Sequence, residues 1–286
     1  MWVSWLMMLL SLWPVAASTA RSDVKPGCQE MCGNVSVPYP FGILDRSCAM
    51  SNNFFLNCSS NDEGHPELLF GRNMPISDIS ELEGTVTVGI YAAFNCYNKT
   101  GIQTDSFSQS MTLAGPFMFS HTRNIFTATG CNTLAAVTNY ESTYGASCLS
   151  LCTVDEENRC SGSGYSQISI AKGLKSLYII LSTFYNDTTV SDCNLCGFAF
   201  LADTRSLKIS DWPLYRMPIY GKDAYATDVV IEWVVENKTC EQAKANTSAY
   251  ACGANADCTY PESGQGYRCS CNEGFEGNPY LKEGCP

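Results

Sequence analysis

Histidine is nearly missing from this sequence, with two copies in 286 residues, and basic side chains are scarce, 17 Lys and Arg facing 28 Asp and Glu. A formal net charge of −11 argues against nucleic acid as a partner, because phosphate binding relies on Lys and Arg displacing condensed counterions. His65 and His121 are the only imidazole bases, and neither stands in a recognisable catalytic pattern. No Walker-type loop, kinase catalytic-loop pattern or zinc-protease helix occurs, and a nucleophile elbow fails around Ser163 because Ser161 stands where its first glycine belongs. Long apolar runs are absent after residue 20; residues 178–181 and 229–235 are strand-sized, and no helical apolar stripe persists beyond about two turns. These absences point to a chain without catalysis, cofactor or bound metal.

What is abundant is cysteine. Seventeen copies between Cys28 and Cys285 fit an oxidising compartment. With 45% hydrophobic and 16% charged residues the chain can still build a core. Residues 1–20 read as a secretory signal peptide: an uncharged apolar run too short to span a bilayer, then small residues at Ala16, Ala17, Ser18 and Ala20. Six sequons, at Asn34, Asn57, Asn98, Asn186, Asn237 and Asn246, agree with secretion and predict surface glycans.

Cysteine spacing divides the remainder into two modules, residues 21–236 and 237–286. The first contains a cysteine-free stretch from 197 onward and closes on the β-branched run 229–235, which predicts a last buried strand; the polar run 236–239 is the joint. Further strands are predicted at 85–91, 167–170, 176–184 and 198–201, with a small helix near 77–82. The fold class is therefore β-rich and disulfide-stabilised, a cysteine-rich β module followed by a small second module, held by bridges rather than by a large apolar interior.

In the second module Cys240, Cys252, Cys258, Cys269, Cys271 and Cys285 are spaced by eleven, five, ten, one and thirteen residues. Spacing alone leaves fifteen pairings open. With the segment from Cys271 to Gly277, the run resembles an EGF-like module, and that resemblance implies the pairs Cys240–Cys258, Cys252–Cys269 and Cys271–Cys285. A calcium-binding version would need hard oxygen ligands just before the first cysteine. Glu236, Asn237, Lys238 and Thr239 lack that pattern, and Tyr260 stands where a hydroxylatable Asp or Asn would be.

The first module carries a second signature. Cys32-Gly33 is followed by Tyr39-Pro40-Phe41-Gly42, then Cys48, Phe55-Leu56-Asn57-Cys58, Gly130-Cys131, Cys148, Cys152, and Cys196-Gly197-Phe198. This resembles the galacturonan-binding region of plant wall-associated receptor kinases, with the hallmark segment at 26–90. The tail Gly277-Asn278-Pro279-Tyr280-Leu281 resembles the second module of the same family. The glycine-rich run after Cys160 departs from it: Tyr165 and Ser166 stand where adjacent cysteines are usual. Eleven cysteines remain for the first module, an odd number, so at least one has no intramolecular partner. Cys193 and Cys196 form a Cys-x-x-Cys pair, read as structural rather than redox-active.

The resemblance implies binding of pectic polysaccharide or oligogalacturonides outside the cell, in the wall or apoplast, or at the plasma membrane in a longer product carrying a membrane span and a kinase. Candidate contacts are Tyr39 and Phe41, whose rings could cover a sugar face or equally plug a small core, and the basic residues Arg159, Lys172, Lys175, Arg205, Lys208 and Arg216. Residues 159–222 hold seven basic against four acidic side chains, so a positive patch forms if these strands share a face. The alternatives are an EGF-like protein–protein module, including association with other receptor ectodomains, and a truncated receptor without function.

Overall fold

The computed structural model describes residues 23–98, 100–154, 160–161, 164–183, 196–209 and 226–286. Its framework is three antiparallel sheets of six, five and four strands. The strand Ala226–Trp233 lies inside the six-stranded sheet, between Thr85–Tyr91 and Phe117–Phe119. Its sequence explains the placement. Val229, Ile231 and Trp233 point to one face and are fully buried, while Val230 and Glu232 face the other way and are buried as well. A strand covered on both faces favours β-branched residues, and Thr227, Val229, Val230 and Ile231 supply them.

Cys196–Asp203, the centre of the five-stranded sheet, is buried along all eight residues. It pairs with Asn124–Thr129 on one side and Ala93–Tyr97 on the other. Phe198, Phe200 and Ala202 pack with Phe94 and Cys96 into a small separate cluster, whereas Ala199 and Leu201 face the main core. Thr133–Thr138, Gly145–Ser150, Ser176–Thr183 and Ser110–Thr112 make the third sheet.

The strands expected at 85–91, 167–170, 176–184, 198–201 and 229–235 are present within a few residues of their bounds. The helix expected near 77–82 is not. Met74–Ser80 is a strand paired with Thr85–Tyr91, and a β-bulge between Ile76 and Asp78 shifts its register. Because of the bulge, Ile76 and Ile79 both face the core three residues apart, a spacing that mimics one helical turn.

Seven disulfides occur among the described residues: Cys28–Cys48, Cys32–Cys58, Cys96–Cys196, Cys131–Cys152, Cys240–Cys258, Cys252–Cys269 and Cys271–Cys285. The last three are the pairs implied by resemblance. Cys196 bridges to Cys96, so it is not half of a Cys193–Cys196 redox pair. Cys148 carries a free thiol in the core. Cys193 and the side chain of Cys160 lie outside the described residues.

The expectation of bridges in place of an apolar interior is corrected by the main core, which runs without a break from Cys32 to Tyr280. The polar joint at 236–239 does not separate two bodies. Trp233 meets Tyr280 at 5.3 Å between ring centroids, Val235 donates its amide to the carbonyl of Tyr267, and Arg268 donates to the carbonyl of Glu83. The short helix Cys240–Ala245 begins with a full capping box, Thr239 and Gln242 each accepting the other's backbone amide.

Candidate functional site

The Tyr39-Pro40-Phe41-Gly42 segment is built into the body. Its Tyr39-Pro40 peptide is cis. Phe41, 1% exposed, packs edge-on against Phe54 at 5.2 Å and Trp233 at 5.5 Å. Of the two roles open to this ring, the structure places it as a core plug, and it offers no face to a ligand. Gly42 is required by crowding: a Cβ there would meet the backbone of Cys48 and Ala49 at 2.5 Å. Its amide and carbonyl bond to Phe54 and Leu56, threading the segment into the fold.

Tyr39 is also mostly buried, but one edge reaches a cleft of about 730 Å³ that it lines with Lys25, Tyr250, Tyr280 and Lys282. The Lys25 ammonium sits 4.6 Å from the Tyr39 ring centre while donating to the carbonyl of Ser47. Burial raises the Tyr39 hydroxyl above its ordinary pKa. Tyr267, buried beneath Tyr250, is pushed up to about 12 by the same cause.

The predicted basic residues are dispersed. Lys175 donates to the carbonyl of Gly115 and lines one shallow depression, Lys208 lines a second beside Asp228, and Arg205 lines a third. Lys172 lies in the turn after Tyr165–Ser169. Arg159, Arg216 and Lys222 lie outside the described residues. No shared positive face forms among the described members.

Arg205 instead enters a charge network that sequence reading missed. Arg123 grips Asp203 with both ends of its fork, Nε to Oδ1 at 3.1 Å and Nη2 to Oδ2 at 2.7 Å. Its Nη1 reaches Glu83 Oε2 at 2.6 Å, and Arg205 Nη1 reaches Glu83 Oε1 at 2.9 Å. Burial alone would raise the Asp203 carboxyl, but hydrogen bonds from Arg123 and the Arg205 amide hold it below the usual carboxylate range. Glu83 is held low chiefly by the Arg205 hydrogen bond. Arg268, Glu232 and Glu262 also line this third concavity, about 280 Å³ in volume, so three guanidinium groups face three carboxylates there. No sequence signal joined these residues, because they come from separate strands and turns brought together only by the sheets.

Of the sequon asparagines, Asn34, Asn57, Asn237 and Asn246 are exposed and Asn98 is half-buried in a turn; Asn186 lies outside the described residues. Near the first cysteine of the C-terminal unit, the Glu236 carboxylate pairs with Lys238 at 2.9 Å and the Thr239 hydroxyl caps the helix, so both oxygens are already engaged.

A family model described as wall-associated receptor kinase galacturonan-binding matches residues 28–89, the stretch that holds Cys28–Cys48, Cys32–Cys58 and the Phe41 plug. Wall-associated receptor kinase 2 of Arabidopsis thaliana is 35% identical over 93% of this chain and 35% of its own length. Over nearly all of its own length the chain is therefore similar to part of a wall-associated receptor kinase. Wall-associated receptor kinases 1 and 4 of the same plant are each 31% identical over 93% of this chain and 35% of their own length. The chain thus spans about a third of the length of the curated wall-associated receptor kinases it matches. No solved structure matches it significantly. Among the described residues no helix is long and apolar enough to cross a membrane.

Proposed function

We propose that this chain is the pectin-recognising outer part of a wall-associated receptor kinase-like protein, acting in the wall or apoplast on de-esterified pectic polysaccharide or oligogalacturonides. The observation that carries the reading is the galacturonan-binding family match over residues 28–89, in a segment whose bridges and aromatic plug are fully formed. Residues 1–20 act as the secretion signal, 21–236 as the galacturonan-binding-like region and 237–286 as an EGF-like unit docked onto it. The chain's own role is binding rather than catalysis.

Dispersal of the described lysines changes how a polyanion is held. A protein of net charge −11 repels pectate at long range, and the described lysines among the predicted contacts, Lys172, Lys175 and Lys208, are too dispersed to offset that repulsion. Recognition then rests on short-range contacts with individual uronate units, which salt screens less than a surface field. Retention of the secreted protein on immobilised polygalacturonate, compared with fully methyl-esterified pectin, tests the reading. Selective retention on the de-esterified polymer is expected. Equal passage over both, with self-association or capture of another ectodomain instead, would favour a protein–protein module.

A further inference from the structure

We infer that the concavity walled by Arg123, Arg205 and Arg268 together with Glu83, Glu232 and Glu262 is a subsite for a single uronate unit, a proposal that rests on the pectin reading and gives it a location. Its volume of about 280 Å³ is that of one sugar residue rather than a chain, just under the ~300–1,000 Å³ of typical small-molecule sites.

Two independent features point to a ligand. The first is Glu232. It occupies the penultimate position of the strand Ala226–Trp233, is 6% exposed, and its Oε2 has no hydrogen-bond partner among the described residues. A carboxylate oxygen withdrawn from water and left unbonded is costly, and the fold could have used an apolar residue here as it does at Val230. Glu232 lines the concavity, and a sugar hydroxyl seated there supplies the donor this oxygen lacks.

The second feature is the set of three guanidinium groups on one small wall. Arg123 is consumed by Asp203 and Glu83 and acts as the brace. Arg205, with 62% of its side chain exposed, gives only Nη1 to Glu83, and Arg268 gives Nη1 to the Glu83 carbonyl. Both retain donor edges at the concavity. A planar fork with two parallel N–H groups suits the carboxylate that distinguishes a uronate from its methyl ester. Glu83 fixes the forks, Arg205 and Arg268 take the C6 carboxylate, and Glu232 accepts from a ring hydroxyl.

Calorimetry with trigalacturonate and its methyl ester, on the full chain and on Arg205→Ala, Glu232→Gln and Lys244→Ala, tests the assignment. Arg205→Ala is expected to weaken trigalacturonate binding about tenfold and to abolish the preference over the ester, and Glu232→Gln to weaken both ligands about fivefold. Lys244→Ala removes one positive charge from the C-terminal helix, outside the concavity, and leaves affinity unchanged. If the parent chain binds trigalacturonate and the first two variants match it, the subsite is wrong while the pectin reading stands. If the parent chain binds no galacturonate oligomer, both fall. Arg205 is exposed and its truncation leaves the core intact, so that variant decides the matter even if Glu232→Gln folds poorly.

Discussion

The side-chain amide of Asn278 donates to the main-chain carbonyl of Tyr39 at 2.5 Å, joining the Gly277-Asn278-Pro279-Tyr280 tail to the Tyr39-Pro40-Phe41-Gly42 segment near the other end of the chain. The same amide nitrogen reaches the carbonyl of Asp23, and its oxygen accepts from the amide of Tyr280. Asn278 is 2% exposed, so its bonds to Tyr39 and Tyr280 are made away from water. Two motifs that read as separate family marks are thus one structural device, holding the C-terminal unit against the first.

Replacing Asn278 should expose that coupling. Asn278→Ala strands the Tyr39 carbonyl and the Tyr280 amide, leaves the Asp23 carbonyl with the Tyr39 amide alone, and is expected to cost about 2–3 kcal/mol of unfolding free energy, read by denaturant titration. Asn278→Asp should be nearly as harmful, since it cannot donate to either carbonyl. A loss under about 0.5 kcal/mol would mean the two units hold together without this contact.

The Arg123–Asp203–Glu83 network predicts an acid limb in the stability profile. Both carboxyls are held below their ordinary values in the folded state, so their contribution is complete above the unfolded-state values near pH ~4 and is lost as pH falls through the folded ones. Asp203→Asn should lower stability at neutral pH by about 2 kcal/mol and flatten the acid limb. An unchanged slope between pH ~5 and ~2 would show that other carboxyls dominate acid unfolding.

Cys148 offers a chemical reading of the core. Its thiol is 2% exposed, and burial raises its pKa above the ordinary value, which suppresses the reactive thiolate. Iodoacetamide at neutral pH should leave Cys148 unmodified in the native protein and alkylate it promptly after unfolding, as read by peptide mass mapping. Rapid native labelling at Cys148 would contradict its placement against the Phe126 carbonyl.

The legible part of the fold was what short-range chemistry determines. Thr85–Tyr91 was evident because Val86, Val88 and Ile90 alternate with smaller or polar residues. The region at 77–82 was misread because a bulge, invisible locally, gives two core isoleucines a helix-like spacing. Phe117–Phe119 has three residues and exists because Phe117, Met118 and Phe119 pair with Trp233, Glu232 and Ile231, a long-range partner no window contains. The site follows the same division. Tyr39 and Phe41 drew notice as aromatics at a fixed turn, yet whether a ring is plug or platform depends on what packs over it, and Trp233 decided it for Phe41. Arg205 was noticed for its charge alone. Glu83, Arg123, Glu232 and Arg268 acquire meaning only when the six- and five-stranded sheets and the C-terminal unit meet.

The central claim is that this surface recognises the uronate carboxylate through short-range contacts. Its most direct test is the affinity of a de-esterified oligogalacturonide and its methyl ester measured by calorimetry at low and moderate salt. We expect the free acid to bind at least about tenfold tighter at both, with less than about threefold change between 50 and 300 mM salt. Equal affinity for acid and ester, or no heat with either, would contradict it.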